Sequence, residues 1–529
     1  PLFSLESRKD LREFDVIGLF LPYEQLYTNA LNLLDLAGLP VLAINRDETM
    51  PLVIAGGHST FNPEPMSGFI DAFVIGEAED LVIELLDLVD QSKDQHLSRD
   101  LLLKKLSRVE GIYVPSLYEA SYASSGEFIG IKPVDSTIPD VIRKRIVSPL
   151  PPPPTKPIVP FARITHDRAM VEIMRGCTRG CRYCQAGFIS RPVRERNRSV
   201  ISRAVEEILQ NTGYTEVGLL SLSSSDYSDI HKLIGELTEI DNSTNLSISL
   251  PSLRIETASG DLMEAARGGR SRKSSATFAP EVANDKMRHK VNKDISSQQL
   301  LNVVDDIFSR GWRTIKLYFM IGFPDETMDD VHDIALLAKE VYIKGRRHHG
   351  RRTKVNVSIS TLVPKPHTPF QWVPLASRDD IIAKQALLMQ ETRARGINLK
   401  WNSYDETEVE SVLSRGDRRI GESIHRAWKQ GARFDAWHEH FDYERWMQAF
   451  AETNIVISSF TTRDRSTSEI LPWNHIDTGV SASFLQKQLE SANFGELTVD
   501  CRESCFNCGI LQAFGHTRQN NDHSNWGCP

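Results

Sequence analysis

Short apolar runs alternate with helical patterns between Ala169 and Leu362, and this alternation constrains the fold more than any other feature of the chain. Ala169–Met174, Glu216–Leu222, Asn245–Leu250, Ser274–Phe278, Thr314–Met320 and Asn356–Leu362 have the length and composition of strands. Ser202–Gln210 and Met328–Tyr342 are among the helical patterns that separate them. Strands that alternate with helices form parallel sheets with helices on their faces. About six such units predict an α/β barrel, or most of one, whose functional groups lie at the C-terminal strand ends.

A chain of 529 residues exceeds one hydrophobic core. Residues 1–130 alternate again: Asp15–Leu21, Glu24–Ala37, Pro40–Ile44, Leu52–Gly56, Ala72–Gly76 and Asp80–Val89 predict a smaller parallel α/β sheet. Gly56-Gly57 after a strand predicts a close backbone approach, by a ligand or by a packed element. Residues 131–162 read as a linker, because Pro149 and Pro151–Pro154 favour extended polyproline geometry. The barrel occupies 163–376, and 377–529 form a helix-rich extension. The chain opens on Pro1 instead of Met, so further residues are expected before it. No stretch approaches the roughly 18 uncharged apolar residues of a membrane helix, and no secretory signal is visible. The seven cysteines are clustered in a long chain, which points to a cytoplasmic metal-binding protein and away from a disulfide scaffold.

The first cluster reads Arg175-Gly176-Cys177-Thr178-Arg179-Gly180-Cys181-Arg182-Tyr183-Cys184 and directly follows the first barrel strand. Thiolates are soft ligands suited to iron–sulfur clusters or zinc. Three on one short loop can hold three irons of a 4Fe-4S cube and leave the fourth open to a small molecule. Zinc would want a fourth ligand that the loop does not contain. Gly176 and Gly180 allow the loop to wrap tightly.

Cys177, Cys181 and Cys184, with Tyr183 before the last, resemble the Cys-x3-Cys-x-aromatic-Cys hallmark of the radical S-adenosylmethionine superfamily. The resemblance implies a partial TIM-type (β/α)6 barrel, a 4Fe-4S cluster whose open iron chelates S-adenosylmethionine, and an electron donor such as flavodoxin or ferredoxin. It also implies cofactor-binding roles by position. Tyr183 would lie near the adenine. Ser223, Ser224, Ser225 and Asp226 stand where relatives have a Gly-Gly-Glu-like turn for the methionine amino group. Arg254, after Pro251-Ser252-Leu253, would pair with the methionine carboxylate, with a plain salt bridge as the rival reading. Glu281 would approach the ribose or methionine, or else serve as a cap before the helix at Asn284. Ile321 and Gly322 would lie against the adenine. The segment Gly322-Phe323-Pro324-Asp325-Glu326-Thr327 resembles a methylthiotransferase turn with Asp325 where glycine is usual, and Asp325–Asp329 also suit a helix start. Pro364–Phe370 resembles the same subgroup.

Leu52–His58 and Asp71–Glu77 resemble the latter part of a Rossmann-like cobalamin-binding-type domain. The Asp-x-His-x-x-Gly segment that usually supplies a cobalt ligand is not found, so cobalamin is left open. Cys501, Cys505 and Cys508 repeat the three-then-two spacing without a preceding barrel strand. With Cys528 as fourth thiolate, or His516 or His523 in its place, they form a candidate closed site for zinc or a second iron–sulfur cluster. The arrangement resembles a bacterial family with a cobalamin-type domain, a radical core and a C-terminal cysteine motif. Two basic runs, Arg191–Arg198 and Lys344–Arg352, read as solvated faces or as phosphate tracks for RNA. The expected activity is reductive cleavage of S-adenosylmethionine to modify a macromolecule, RNA or a ribosomal protein, by methylthiolation, methylation or related C–H functionalisation. A non-catalytic metal-dependent scaffold is the alternative.

Overall fold

The computed structural model describes residues 2–162, 164–239, 246–250, 254–255, 260–265, 275–393, 396–519 and 526–528. The chain forms two compact units. One comprises Pro1–Val147, Val363–Leu375 and Ser403–Ala482; the other comprises Ser148–Leu362, Ala376–Asn402 and Ser483–Pro529. The segment expected as a single extension from 377 onward is therefore divided between them.

In the first unit β1 (Val16–Phe20), β2 (Leu52–Gly56) and β3 (Ala72–Val74) run parallel, and β4 (Ile112–Tyr113) closes the sheet antiparallel to β3. Val53, Ala55, Ala72 and Phe73 are buried, as expected of parallel strands covered on both faces. Helices Tyr404–Arg415, Ile420–Lys429 and Tyr443–Glu452 belong to the same unit and account for the helical pattern of the third section. The close approach foreseen at Gly57 is made by protein. At φ 122° a Cβ there would stand 2.5 Å from the carbonyl oxygen of Leu21.

The second unit holds seven parallel strands among the described residues. The strands β5 (Ala169–Glu172), β6 (Glu216–Leu220) and β7 (Ser247–Ser249) make one sheet, with β6 central. A second sheet contains β8 (Ser275–Glu281), β9 (Thr314–Ile321), β10 (Lys354–Thr361) and β11 (Ile397–Trp401), in that order. The sequence reading counted six strands. β11 extends the second sheet beyond residue 376, and its polar alternation (only Ile397 is fully buried) hid it.

Local rules explain these elements. In the helix Arg198–Thr212, Ile201, Ala204, Val205 and Ile208 are buried on one face, and Ile201, Val205 and Ile208 share a core with Val171, Val217 and Leu219 of β5 and β6. Gly213, left-handed at φ 69°, ends it. The helix Met328–His349 starts at a capping box between Thr327 and Asp330, which fulfils the helix-start reading of that acidic turn. Along β9 the buried residues Ile315, Leu317, Phe319 and Ile321 alternate with more accessible ones. Among the described residues, no helix is long and apolar enough to cross a membrane.

Candidate active site

The loop carrying Cys177, Cys181 and Cys184 leaves the C-terminal end of β5, where barrel chemistry is expected. Its two glycines are left-handed, Gly176 at φ 92° and Gly180 at φ 71°. A Cβ on Gly176 would stand 2.8 Å from the carbonyl oxygen of Pro192, so the loop closes only with glycine there. Arg182, fully buried, donates to the carbonyls of His289 and Glu496 at 2.7 Å each and anchors the loop from behind.

The three cysteines are free thiols. Burial, then the neighbouring Cys181, pushes Cys177 up and raises Cys184 to about 12. The thiols are thus close enough to feel one another. Among the described residues no three Cys, His, Asp or Glu side chains converge tightly enough to hold a metal ion. Three thiols on one short loop are by their chemistry a donor set suited to an iron–sulfur cluster. Cations accompany it. Arg254 Nη1 lies 3.9 Å from Cys181 Sγ, and Arg191 lies near Cys177. Positive charge beside thiolate ligands offsets their desolvation.

The expected contact residues gather at the strand ends. After β6, Asp226 is nearly buried and receives a bidentate fork from Arg179, at 2.6 and 3.0 Å, and the Ser223 hydroxyl at 2.7 Å. Burial pushes the Asp226 carboxyl up, but the hydrogen bonds and charge of Arg179 outweigh it and hold the carboxyl below its ordinary range. Ser224 donates to the Leu219 carbonyl, and Ser225 Oγ accepts the Arg254 backbone N–H at 3.0 Å. Arg254 Nε lies 3.9 Å from Asp226, and its side chain is only 13% exposed. The two are therefore a largely buried ion pair and not one on the surface. Pro251–Leu253 and His523 lie outside the described residues.

Glu281 ends β8 in a left-handed conformation, φ 66°, which is uncommon for a side chain with a Cβ and costs about 1–3 kcal/mol. Its carboxylate pairs with Lys293 at 3.1 Å. Capping of the following helix falls to Asn284, which accepts the Met287 N–H. Tyr183 is pushed up by burial and then by the charge of Glu281, and its ring meets Phe323 edge-on at 6.2 Å. Ile321 ends β9 fully buried, and Gly322 turns away at φ 87°. Its N–H donates to Glu326 at 2.6 Å, and Glu326 in turn pairs with buried Lys384 at 3.0 Å. Asp325 is left-handed at φ 56°, which explains a position where glycine is usual, since Asp tolerates that region better than most residues.

Comparisons place this geometry. The family model described as Radical SAM superfamily matches residues 171–338, and one described as Radical SAM proteins, N-terminal, matches residues 1–115. The chain belongs to the radical SAM superfamily. It is an enzyme of that superfamily, whose members imply a 4Fe-4S cluster and S-adenosylmethionine. An uncharacterised protein of Methanocaldococcus jannaschii is 27% identical, over 80% of this chain and 82% of its own length. A tRNA-2-methylthio-N(6)-dimethylallyladenosine synthase of Clostridium botulinum is 25% identical over 42% of this chain, and the match spans 51% of that synthase. The ribosomal protein uS12 methylthiotransferase RimO of Thermoanaerobacter is 24% identical over 32% of this chain and 40% of its own length. Among solved structures, the radical S-adenosylmethionine methyltransferase TsrM of Kitasatospora setae, with cobalamin and a [4Fe-4S] cluster bound, aligns at TM-score 0.48. That alignment shows 12% identity and covers 80% of this chain and 89% of TsrM.

Two site features are not legible in the sequence. Arg179 carries no assigned role there, although an arginine between two cysteines is a signal. The basic run Arg191–Arg198 was offered as a phosphate track, but Arg191, Arg194 and Arg196 are at most 7% exposed. Arg196 binds Glu172 at 3.0 Å, and Arg198 binds Asp229 at 3.2 Å. The sequence leaves cobalamin open. The first unit has a cavity of about 700 Å³ lined by Arg46, Asp71 and Arg99, but Arg46 and Asp71 precede β2 and β3. Ligands of open parallel sheets sit at the opposite, C-terminal ends. There Gly57 is filled by Leu21 backbone and His58 is exposed, so the described residues do not fit a cobalamin seat.

Proposed function

We propose that Cys177, Cys181 and Cys184 hold three irons of a 4Fe-4S cluster and that the enzyme uses it to cleave S-adenosylmethionine reductively and functionalise a C–H bond of a macromolecule. The observation that carries this reading is the gathering of three thiols at the end of β5 with Tyr183, Asp226, Arg254 and Glu281 around them. Bound there, the cluster would supply the electron that splits S-adenosylmethionine into methionine and a 5′-deoxyadenosyl radical able to take hydrogen from a substrate.

The protein's own residues would then bind and orient. Arg254, fixed through its backbone by Ser225, presents a guanidinium beside Cys181 for a carboxylate. Asp226, kept ionised by Arg179, offers an acceptor for an ammonium group. Tyr183, Phe323 and Ile321 form an apolar wall suited to a purine face. The likeness of β9 and its turn to methylthiotransferases supports methylthiolation, methylation or a related reaction on RNA or a ribosomal protein. The remaining basic run supports RNA less than its sequence suggested. Arg346, Arg347, Arg351 and Arg352 are exposed, but they precede β10, at the strand ends opposite the cysteines.

The test is anaerobic incubation of reconstituted enzyme with S-adenosylmethionine and dithionite. Formation of 5′-deoxyadenosine by wild type, and its loss in the Cys177/Cys181/Cys184→Ala variant, is expected. A chain that assembles no cluster and binds no S-adenosylmethionine would instead be the scaffold.

A further inference from the structure

The second cysteine motif has a place in the fold that its spacing alone did not reveal. Cys501, Cys505 and Cys508 lie just before the helix Ile510–Gln519, and Cys528 lies beyond it. The structure brings all four to one cavity of about 110 Å³, walled also by Phe506 and Leu511. Among the described residues no histidine, His516 included, lines it. Four thiols are a complete protein ligand set for zinc or for a cube.

The size of the void separates these. Zinc–sulfur bonds of about 2.3 Å draw four sulfurs onto one point, and a single water needs only about 10–15 Å³. The four thiols line a cavity several times that volume. The space suits an inorganic core.

This cavity adjoins the first cysteine loop directly. The Cys501 N–H donates to the Thr178 carbonyl at 3.2 Å, and Thr178 Oγ1 donates to Asp500 at 2.7 Å. Arg179 reaches Asp500 at 3.2 Å while also gripping Asp226. Gly527, beside Cys528, donates to the Val193 carbonyl, and a Cβ there would stand 3.1 Å from the Thr178 methyl group. The buried guanidinium of Arg191 is stacked over Phe188 and Phe484 and feels Cys501 and Cys508 of the second motif and, more weakly, Cys177 of the first. A buried cation facing two sets of thiols suits two anionic clusters.

We infer that Cys501, Cys505, Cys508 and Cys528 hold a second iron–sulfur cluster, closed by four protein thiolates and seated against the first cysteine loop. Having no open iron, it does not bind S-adenosylmethionine. The inference uses the same cluster chemistry as the proposed function but rests on different residues, so the two can fail separately.

The experiment is anaerobic reconstitution of the full chain with iron and sulfide, followed by metal, sulfide and electron paramagnetic resonance analysis. Wild type should take up about eight irons per chain, and the Cys177/Cys181/Cys184→Ala variant about four irons with matching sulfide. The reduced signal of that variant should be unchanged by S-adenosylmethionine. A Cys528→Ser variant, which keeps the other three thiols if the triple replacement misfolds, should alter only this S-adenosylmethionine-insensitive signal. Zinc without sulfide, or no metal, in the first-motif variant overturns the second cluster. Iron in that variant with wild type holding no more would overturn the proposed function and leave this inference standing.

Discussion

Replacing Lys384 should damage the enzyme more than replacing its partner, and the structure sets the scale. Glu326 and Lys384 face each other at 3.0 Å with side chains 2% exposed each. At an effective dielectric of about 20, that separation corresponds to about 5 kcal/mol of attraction, most of which offsets the desolvation of two charges. Lys384→Met leaves a carboxylate buried with only the Gly322 N–H against it, so a loss of about 3–5 kcal/mol is expected. Glu326→Gln is milder. Its amide oxygen still accepts from Gly322, and Lys384 keeps Asp380 at 2.7 Å, so about 1–2 kcal/mol is expected. The double variant removes both charges and should return to within about 1 kcal/mol of wild type. Urea unfolding of the four proteins, followed by circular dichroism, closes the cycle. The transition that shifts is the one to read, because a chain of two units need not unfold in one step. A double variant as unstable as Lys384→Met, or a Lys384→Met loss below about 1 kcal/mol, would refute the argument that this pair is an electrostatic strut under the Gly322 turn.

The remaining predictions concern the site and the first unit. Asp226→Asn should weaken the Arg179 clamp and lower S-adenosylmethionine affinity by about tenfold, measured by equilibrium binding to reconstituted protein. Gly176→Val should block cluster assembly while leaving the second unit's helix content intact, because its Cβ would strike the Pro192 carbonyl; iron content and circular dichroism read both. Arg191→Gln removes a buried cation that feels cysteines of both motifs and should make both clusters harder to reduce, by several tens of millivolts in a redox titration. His367 and His475 are buried and held at about 4, below the ordinary imidazole value, chiefly by desolvation. The unfolded chain binds protons that the folded chain refuses between pH 6.5 and about 4. Their contribution is therefore whole above pH 6.5 and lost progressively below it, up to about 3 kcal/mol each. Urea midpoints against pH should show this slope, and His475→Gln should flatten it.

The sequence disclosed what depends on local pattern. Alternating runs marked β5 to β10, because parallel strands buried against helices carry continuous or alternating apolar residues. Cysteine spacing marked both thiol loops, and the acidic run Asp325–Asp329 marked a helix start. Long-range partners were illegible. Nothing near Cys177 announces that Asp500 grips Thr178 and Arg179 from 322 positions away in the chain, counting from Thr178 to Asp500. Arg191 was read as surface because a basic run is usually solvated, yet its neighbours Phe188 and Phe484 bury it. β11 was missed because the face it presents is polar apart from Ile397. The split of the C-terminal region between two units is likewise a tertiary outcome, with no composition shift to mark Ala482.

The most direct test of the central claim isolates the first cluster. In a Cys501/Cys505/Cys508→Ser background, the reduced electron paramagnetic resonance spectrum is recorded before and after adding S-adenosylmethionine. A cluster held by Cys177, Cys181 and Cys184 with one open iron should give a signal that shifts on addition, together with 5′-deoxyadenosine on turnover. A signal that S-adenosylmethionine leaves unchanged, with no deoxyadenosine formed, would contradict the assignment of these three cysteines as the catalytic cluster's ligands.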